Sequence, residues 1–155
     1  MRILSLTFII FLAFIDYLSK ALIKTNIKND YYVLNEYISF QAFYNKGIAF
    51  SFFDSESIQI NNIVALVISI IILFIFYVFL RDFNKFKNIE VLGYVCILGG
   101  AVGNFLDRIQ NGSVLDFIII NYSQIYFPAI FNVADILISF GALLLVYTYL
   151  FITKI

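Results

Sequence analysis

Long runs of apolar residues dominate this chain, and short polar stretches separate them. A helix needs about 20 apolar residues to cross the hydrocarbon core of a bilayer, and four runs are long enough. They predict spans at about residues 3–23, 58–80, 89–108 and 131–152. The segments between alternate spans, about 24–57 and 109–130, then lie on the same side of the membrane. We predict a single membrane-embedded domain over residues 1–155.

The two segments on that side carry strand-like patterns. The stretch YYVLNEYISFQAFYNKGIAFSFF in the first segment alternates in part and is rich in aromatic and β-branched residues, which predicts a small sheet on the membrane surface. Asn45-Lys46-Gly47 supplies turn chemistry within it. The second segment holds Gly112 and Pro128 and predicts a strand at VLDFIII, followed by a short amphipathic piece.

Composition supports an integral membrane protein. Hydrophobic residues make up 63% of the chain and charged residues 13%, against about 25% charged in a typical soluble domain. The charges of ten basic and ten acidic residues cancel, so the chain lacks the excess of positive charge that is typical of nucleic-acid-binding proteins. Histidine, the commonest general base and metal ligand, is absent. The single cysteine, Cys96, cannot form an internal disulfide.

Basic residues predict the orientation. The short connection Arg81–Lys87 holds three basic residues and one acid, and Arg2 and Lys154 lie at the termini. The positive-inside rule places these three regions in the cytoplasm. Both termini are therefore predicted to be cytoplasmic, and the strand-bearing segments are predicted to lie outside.

Four aspartates gather in one layer under this topology. At 1.5 Å per residue, Asp16 lies roughly 20 Å into the first span from the inside. Asp107 falls at the outer end of the third span, and Asp135 about one turn into the fourth. Gly112 offers a place where the chain can fold back, so that Asp116 could face Asp135. The layer lies near the outer leaflet.

Ionisable residues at membrane depth are costly and mark function by default, although ion pairing competes as an explanation. Asp16 and Lys20 are spaced i,i+4 and could simply pair, and Asp107 could pair with Arg108. Asp116 and Asp135 have no adjacent basic residue.

Two carboxylates brought close together share one proton, because like charges cannot both ionise cheaply. The ionised member can then take a proton from water while the other donates to a carbonyl oxygen. Asp116 and Asp135 therefore predict aspartic-peptidase chemistry, which needs no metal and no cofactor.

Three alternatives stay open at this point. Carboxylates also bind Mg²⁺ or Ca²⁺. Buried acids also serve as relays in proton- or ion-coupled transporters, but here the four aspartates cluster in one outer layer, which argues against a path across the membrane. A purely structural membrane subunit would leave Asp116 and Asp135 unexplained.

Five blocks in order carry a family resemblance: DYLSK at 16–20, NKGIAFS at 45–51, GGAVGNFLDR at 99–108, VLDF at 114–117 and FNVAD at 131–135. Together they resemble the bacterial lipoprotein signal peptidases, also called signal peptidase II. The resemblance implies four transmembrane helices with an extracytoplasmic β-cradle and a short surface helix. It also implies a bacterial inner-membrane enzyme whose active site lies near the outer leaflet.

Site residues carry over by position. The catalytic pair of the family falls on Asp116 and Asp135. Site-lining or supporting positions fall on Asn45, Asn104, Arg108, Asn132, Asp16, Asp107 and Lys20. The implied substrate is a membrane-bound prolipoprotein, cleaved just before a diacylglyceryl-modified cysteine. One departure is Ile136, where a small polar residue is common in relatives.

Overall fold

The computed structural model describes residues 1–27, 31–46, 58–122 and 125–152. Four long helices account for most of these residues: α1 (Arg2–Asn26), α2 (Ile58–Asp82), α3 (Asn88–Asn111) and α4 (Val133–Tyr147). A π-helical turn, Thr148–Ile152, continues α4. All four helices are long and apolar enough to cross a membrane. Their outward sides carry exposed large apolar side chains such as Leu4, Leu73 and Leu143, as expected of surfaces that face lipid.

Helix α3 lies at the centre of the bundle and packs against α1, α2 and α4. Close approach to α1 requires glycine, because a Cβ at Gly99 would lie 2.7 Å from the Leu12 Cβ. Within the part of the chain that the structure describes, helices α2 and α4 do not pack closely against each other. The bundle is therefore open between α2 and α4.

One antiparallel sheet covers an end of the bundle. Its strands, in the order β1-β2-β3-β4, are Tyr32–Val33, Ile38–Asn45, Val114–Tyr122 and Ile125–Phe131. Strands β2 and β3 pair from Ile38↔Ile120 to Asn45↔Val114. The small sheet predicted for the first segment and the strand predicted at VLDFIII are confirmed, and the two segments contribute two strands each to one sheet. The predicted amphipathic piece after VLDFIII is strand β4.

Gly112 produces the reversal between α3 and the sheet. It ends α3 in the left-handed region at φ 68°, which glycine adopts at little cost. The chain then enters β3, where Leu115 and Phe117 pack against Ile23 near the end of α1. Side chains alternate along a strand, so Asp116 points away from this core.

The opposite end of the bundle brings together Arg2, the connection between α2 and α3, and Ile152 at the end of the π-helical turn. The Arg2 guanidinium donates to the Leu80 carbonyl at 2.6 Å and lies 5.3 Å from the Phe83 ring centroid. Lys87 Nζ donates to the Ile152 carbonyl at 3.0 Å. Arg2, the basic connection and Ile152 therefore lie on one side of the bundle, opposite the sheet.

The predicted fold class, four membrane helices with a small sheet, is confirmed. Between the spans, the described residues contain one 3-10 turn, Phe83–Lys85, at the end opposite the sheet, and the implied surface helix is not among them. Most of the NKGIAFS block, residues 47–51, lies outside the described residues. The division into one domain stays a prediction.

Candidate active site

Asn132 links the two aspartates of the predicted pair. It lies between β4 and α4 and is the N-cap of α4, which places Asp135 in the first helical turn. Its backbone N–H donates to Asp135 Oδ2 at 3.1 Å, and its side-chain Nδ2 donates to Asp116 Oδ1 at 2.6 Å. One fully buried residue therefore contacts both carboxylates.

The amide groups around the pair have only one satisfactory orientation. Asn132 Oδ1 accepts from the Asp135 N–H at 2.9 Å, so its Nδ2 must face Asp116. Lys20 can only donate, and its Nζ donates to Asn104 Oδ1 at 2.9 Å. Asn104 Nδ2 then donates to Asp135 Oδ1 at 2.8 Å. Rotating either amide would set donor against donor, so the N–H groups stay aimed at the carboxylates.

Two further side chains complete the surroundings of Asp116. Asn45, at the end of β2, donates from Nδ2 to Asp116 Oδ2 at 2.9 Å. Arg108, in the last turn of α3, interacts electrostatically with Asp116 most strongly and with Asp135 next. Its Nη1 also donates to the Lys46 carbonyl at 3.3 Å. A cation therefore lies near both carboxylates of the pair.

Burial raises the pKa of Asp116 to about 6. The Asn45 hydrogen bond opposes this effect by stabilising the carboxylate, and the charge of Asp135 raises the pKa further. The residue is 5% exposed. Asp116 is thus a carboxyl group that holds a proton at higher pH than an ordinary aspartate.

Asp16, Asp107 and Lys20 form a second buried cluster beneath the pair. Lys20, only 3% exposed, lies 2.7 Å from Asp16 and 3.3 Å from Asp107. Asp16 Oδ1 accepts from the Ala134 N–H at 2.9 Å, in the first turn of α4. Asp107 Oδ2 accepts from the Leu115 N–H at 3.0 Å, next to Asp116. The cluster therefore fixes the backbone of both elements that carry the pair.

The sequence left open that Asp16 pairs with Lys20 and that Asp107 pairs with Arg108. Asp16 does pair with Lys20, as the i,i+4 spacing indicated. Asp107 pairs with Lys20 and with Lys24, 3.6 Å away. Lys24 was not among the predicted site residues, although its position one turn after Lys20 on α1 was a usable signal.

Gly103 allows this cluster to form. A Cβ there would lie 2.6 Å from Asp16 Oδ2, so the carboxylate occupies the space of a side chain. The close contact between α1 and α3 at this level therefore depends on a residue without a side chain.

A cavity of about 770 Å³ opens beside the pair. Its polar end holds Asp116 and Asp135 with Asn45, Asn104 and Arg108. The rest is mainly apolar and extends along the sheet and between α2 and α4; it is lined there by Ile68, Val114, Ile120, Ile130, Phe140 and Leu143. The pair therefore lies where a polar pocket meets an apolar groove.

All nine site residues predicted from the sequence lie in this region. Asp116, Asp135, Asn45, Asn104 and Arg108 line the cavity directly. Asn132 bridges the pair, and Asp16, Asp107 and Lys20 lie behind it. Among the described residues, no group of three His, Cys, Asp or Glu side chains could hold a metal ion.

Comparison with known proteins decides the family. The model of the signal peptidase (SPase) II family matches residues 8–151. The chain belongs to the signal peptidase II family. The predicted family resemblance is thereby confirmed.

Individual relatives agree with this assignment. The chain is 34% identical over 126 residues to a lipoprotein signal peptidase of Clostridium tetani, covering 81% of this chain and 78% of that protein. It is 35% identical over 130 residues to the lipoprotein signal peptidase of Dichelobacter nodosus, covering 84% and 82%. A solved structure of a bacterial membrane enzyme is similar at a TM-score of 0.77 and 26% identity, over 96% of this chain and 94% of that one. These matches lend no support to the transporter alternative.

Proposed function

We propose that this protein is an aspartic endopeptidase that removes the signal peptide from prolipoproteins, with Asp116 and Asp135 as the catalytic pair. The observation that carries the proposal is the link through Asn132, which contacts both carboxylates at 2.6 and 3.1 Å where the polar pocket meets the apolar groove. The names of the relatives support the substrate class.

The surroundings of the two carboxylates assign their roles. Asp135 lies in the first turn of α4, where the helix dipole and the Asn132 N–H stabilise a negative charge. Asp116 lies on a strand without such a dipole, and its raised pKa favours the protonated form. Asp135 is therefore the general base, and Asp116 is the general acid.

The reaction needs only water and the two carboxyl groups. Asp135 takes a proton from water as the water oxygen bonds to the scissile carbonyl carbon, and Asp116 donates its proton to the carbonyl oxygen. The C–N bond then breaks while the proton on Asp135 passes to the leaving nitrogen. Asp116 recovers a proton from the hydroxyl group as the new carboxylic acid forms. Arg108, near both groups, limits the negative charge that accumulates around them.

The substrate that suits this site is a membrane-bound prolipoprotein whose cysteine carries a diacylglyceryl group, cleaved just before that cysteine. The apolar groove between α2 and α4 faces the lipid side of the bundle, so a lipid-linked peptide can reach the pair from within the membrane. Asparagine amides at the polar end can hold the extended peptide, whose backbone groups are costly to leave unpaired in a dry site.

The orientation that we propose places the sheet and the catalytic pair outside, near the outer leaflet, with both termini in the cytoplasm of a bacterial cell. The basic connection Arg81–Lys87 supports it, since it lies at the end opposite the sheet together with Arg2.

The proposed function is tested by cleavage of a diacylglyceryl-modified prolipoprotein peptide with purified protein in detergent. Asp116→Asn and Asp135→Asn should each lower kcat about as much as the double variant, because residues that act as a unit are not additive. Substrate affinity should persist, since Asn still forms hydrogen bonds. Near-wild-type kcat for either single variant would disprove the assignment of the pair.

A further inference from the structure

The serine and threonine hydroxyls on the described parts of the four spans share one arrangement, with a single exception. Six serines and threonines on these helices and the π-turn donate to a backbone carbonyl three or four residues earlier: Ser5, Thr7, Ser19, Thr25, Ser69 and Thr148. Such bonds are the usual way to satisfy a hydroxyl in an apolar helix. The Ser139 hydroxyl makes no hydrogen bond within the part of the chain that the structure describes.

Ser139 also lies in a distinctive place. It is one helical turn after Asp135 on α4 and lines the same cavity, so the two side chains share a helix face. Its neighbours in the cavity wall are apolar and include Ile136, Phe140 and Leu143. Ser139 is therefore the polar group of an otherwise apolar wall, on the membrane side of the catalytic pair.

Ser139 is exposed on the groove, so its hydroxyl can be reached by an incoming molecule. A mainly apolar molecule that covered this hydroxyl without offering an acceptor would leave it buried and unpaired, which is costly, so an acceptor is favoured there. Helices α2 and α4 leave the groove open at this level, and Ile68 on α2 forms its other wall. The acceptor would have to belong to a molecule that is mainly apolar and reaches the pair at the same time.

We propose that Ser139 binds an ester carbonyl oxygen of the diacylglyceryl group on the substrate cysteine. This inference rests on the proposed function and names the contact that recognises the lipid. Ser139 lies about 6 Å along the helix axis from Asp135, one turn at 1.5 Å per residue. The ester carbonyls of a diacylglyceryl group lie only a few bonds from the cysteine sulfur. With the peptide bond at the pair, an ester can reach Ser139 while the acyl chains continue along the groove.

Two lipopeptide substrates test the contact, one with ester-linked chains and one with ether-linked chains of equal length. The ether lacks the carbonyl acceptor but retains the apolar surface. Wild-type protein should show a KM about 3–10-fold lower for the ester, the range expected for one neutral hydrogen bond. The kcat values should agree, because the contact is remote from the bond that breaks and acts equally on bound substrate and transition state.

Variants of Ser139 separate the hydroxyl from the shape of the side chain. Ser139→Thr should keep the ester preference, and Ser139→Val, which is isosteric with threonine, should bring the KM ratio close to one. Ser69→Ala is the matched control, because this hydroxyl on α2 already donates to the Ala65 carbonyl at 2.6 Å. It should leave the ratio unchanged.

The outcomes are distinguishable. An equal KM for ester and ether in the wild-type protein would overturn the inference, whatever the variants do, and so would a preference that survives Ser139→Val. If Ser139→Val does not fold, Ser139→Ala gives the same comparison with a smaller side chain. If the wild-type protein cleaves neither lipopeptide, the proposed function itself fails.

Discussion

Removing the Asn45 side chain should extend activity to higher pH. Asn45 Nδ2 donates to Asp116 Oδ2 at 2.9 Å, and this bond stabilises the carboxylate form. Burial has the larger and opposite effect and raises the pKa of Asp116 to about 6. In Asn45→Ala, burial acts with less opposition, so Asp116 should keep its proton to a higher pH.

The magnitude follows from the difference between two hydrogen bonds. A bond to a charged group contributes about 1.5–3 kcal/mol and one between neutral groups about 1 kcal/mol, so the ionised state loses about 1 kcal/mol more than the protonated state. About 1.36 kcal/mol corresponds to one pH unit. The alkaline limb of kcat/KM, where the general acid loses its proton, should therefore move upward by roughly 0.5–1 pH unit.

The assay is kcat/KM for a lipopeptide substrate across the pH range, compared between Asn45→Ala and the wild type. The test compares the pH of the alkaline limb between the two proteins. The absolute pH of this limb reflects the titration of Asp116 and Asp135 together, so it does not report on Asp116 alone. Asn121→Ala is the matched control, since this asparagine lies on the same sheet but donates to Ser39 Oγ at 2.9 Å. A downward shift, or an equal shift in the control, would refute the argument.

The raised pKa of Asp116 also predicts how the free energy of unfolding depends on pH. The folded pKa of Asp116 lies above the value of 3.8 for an unperturbed aspartate, so the folded state binds more protons between about pH 4 and pH 6. The stability linked to this proton is fully present below pH 3.8 and is lost as pH rises through about 6. In Asn45→Ala the pKa of Asp116 should be higher, so the proton should stabilise the folded state up to a higher pH.

Two further predictions concern the buried cation and the orientation. Lys20→Met leaves the Asp16 and Asp107 carboxylates without their central partner, which should cost about 3–5 kcal/mol and lower the thermal midpoint in detergent. Lys24→Met, one turn along the same helix at a side chain 34% exposed, should cost less than about 1 kcal/mol, and equal losses would contradict the central role of Lys20. For orientation, new thiols at Asn84 and Glu36 in a Cys96→Ala background should differ in intact cells, with only position 36 reached by an impermeant reagent. Labelling at position 84 would reverse the proposed topology.

The sequence alone determined the features that depend on local length and pattern. The four spans follow from apolar runs long enough to cross a bilayer, and the turn at Gly112 follows from the freedom of glycine at positive φ. Helical spacing brought Asp16 and Lys20 onto one face. The depth of the aspartates followed from the spans, so their common layer could be predicted before any contact was known.

Only the tertiary structure decided the contacts between distant elements. The sheet joins two segments that α2 and α3 separate in the chain, and no local pattern specifies such a pairing. The cap of α4 is readable as Asn132 followed three residues later by Asp135, but the bond from Asn132 to Asp116 depends on how β3 lies beside the start of α4. The position of Ser139 on the wall of the groove emerges only when its helix is packed. Side-chain direction within one element follows from its own periodicity, whereas contact across elements depends on packing that only the whole chain determines.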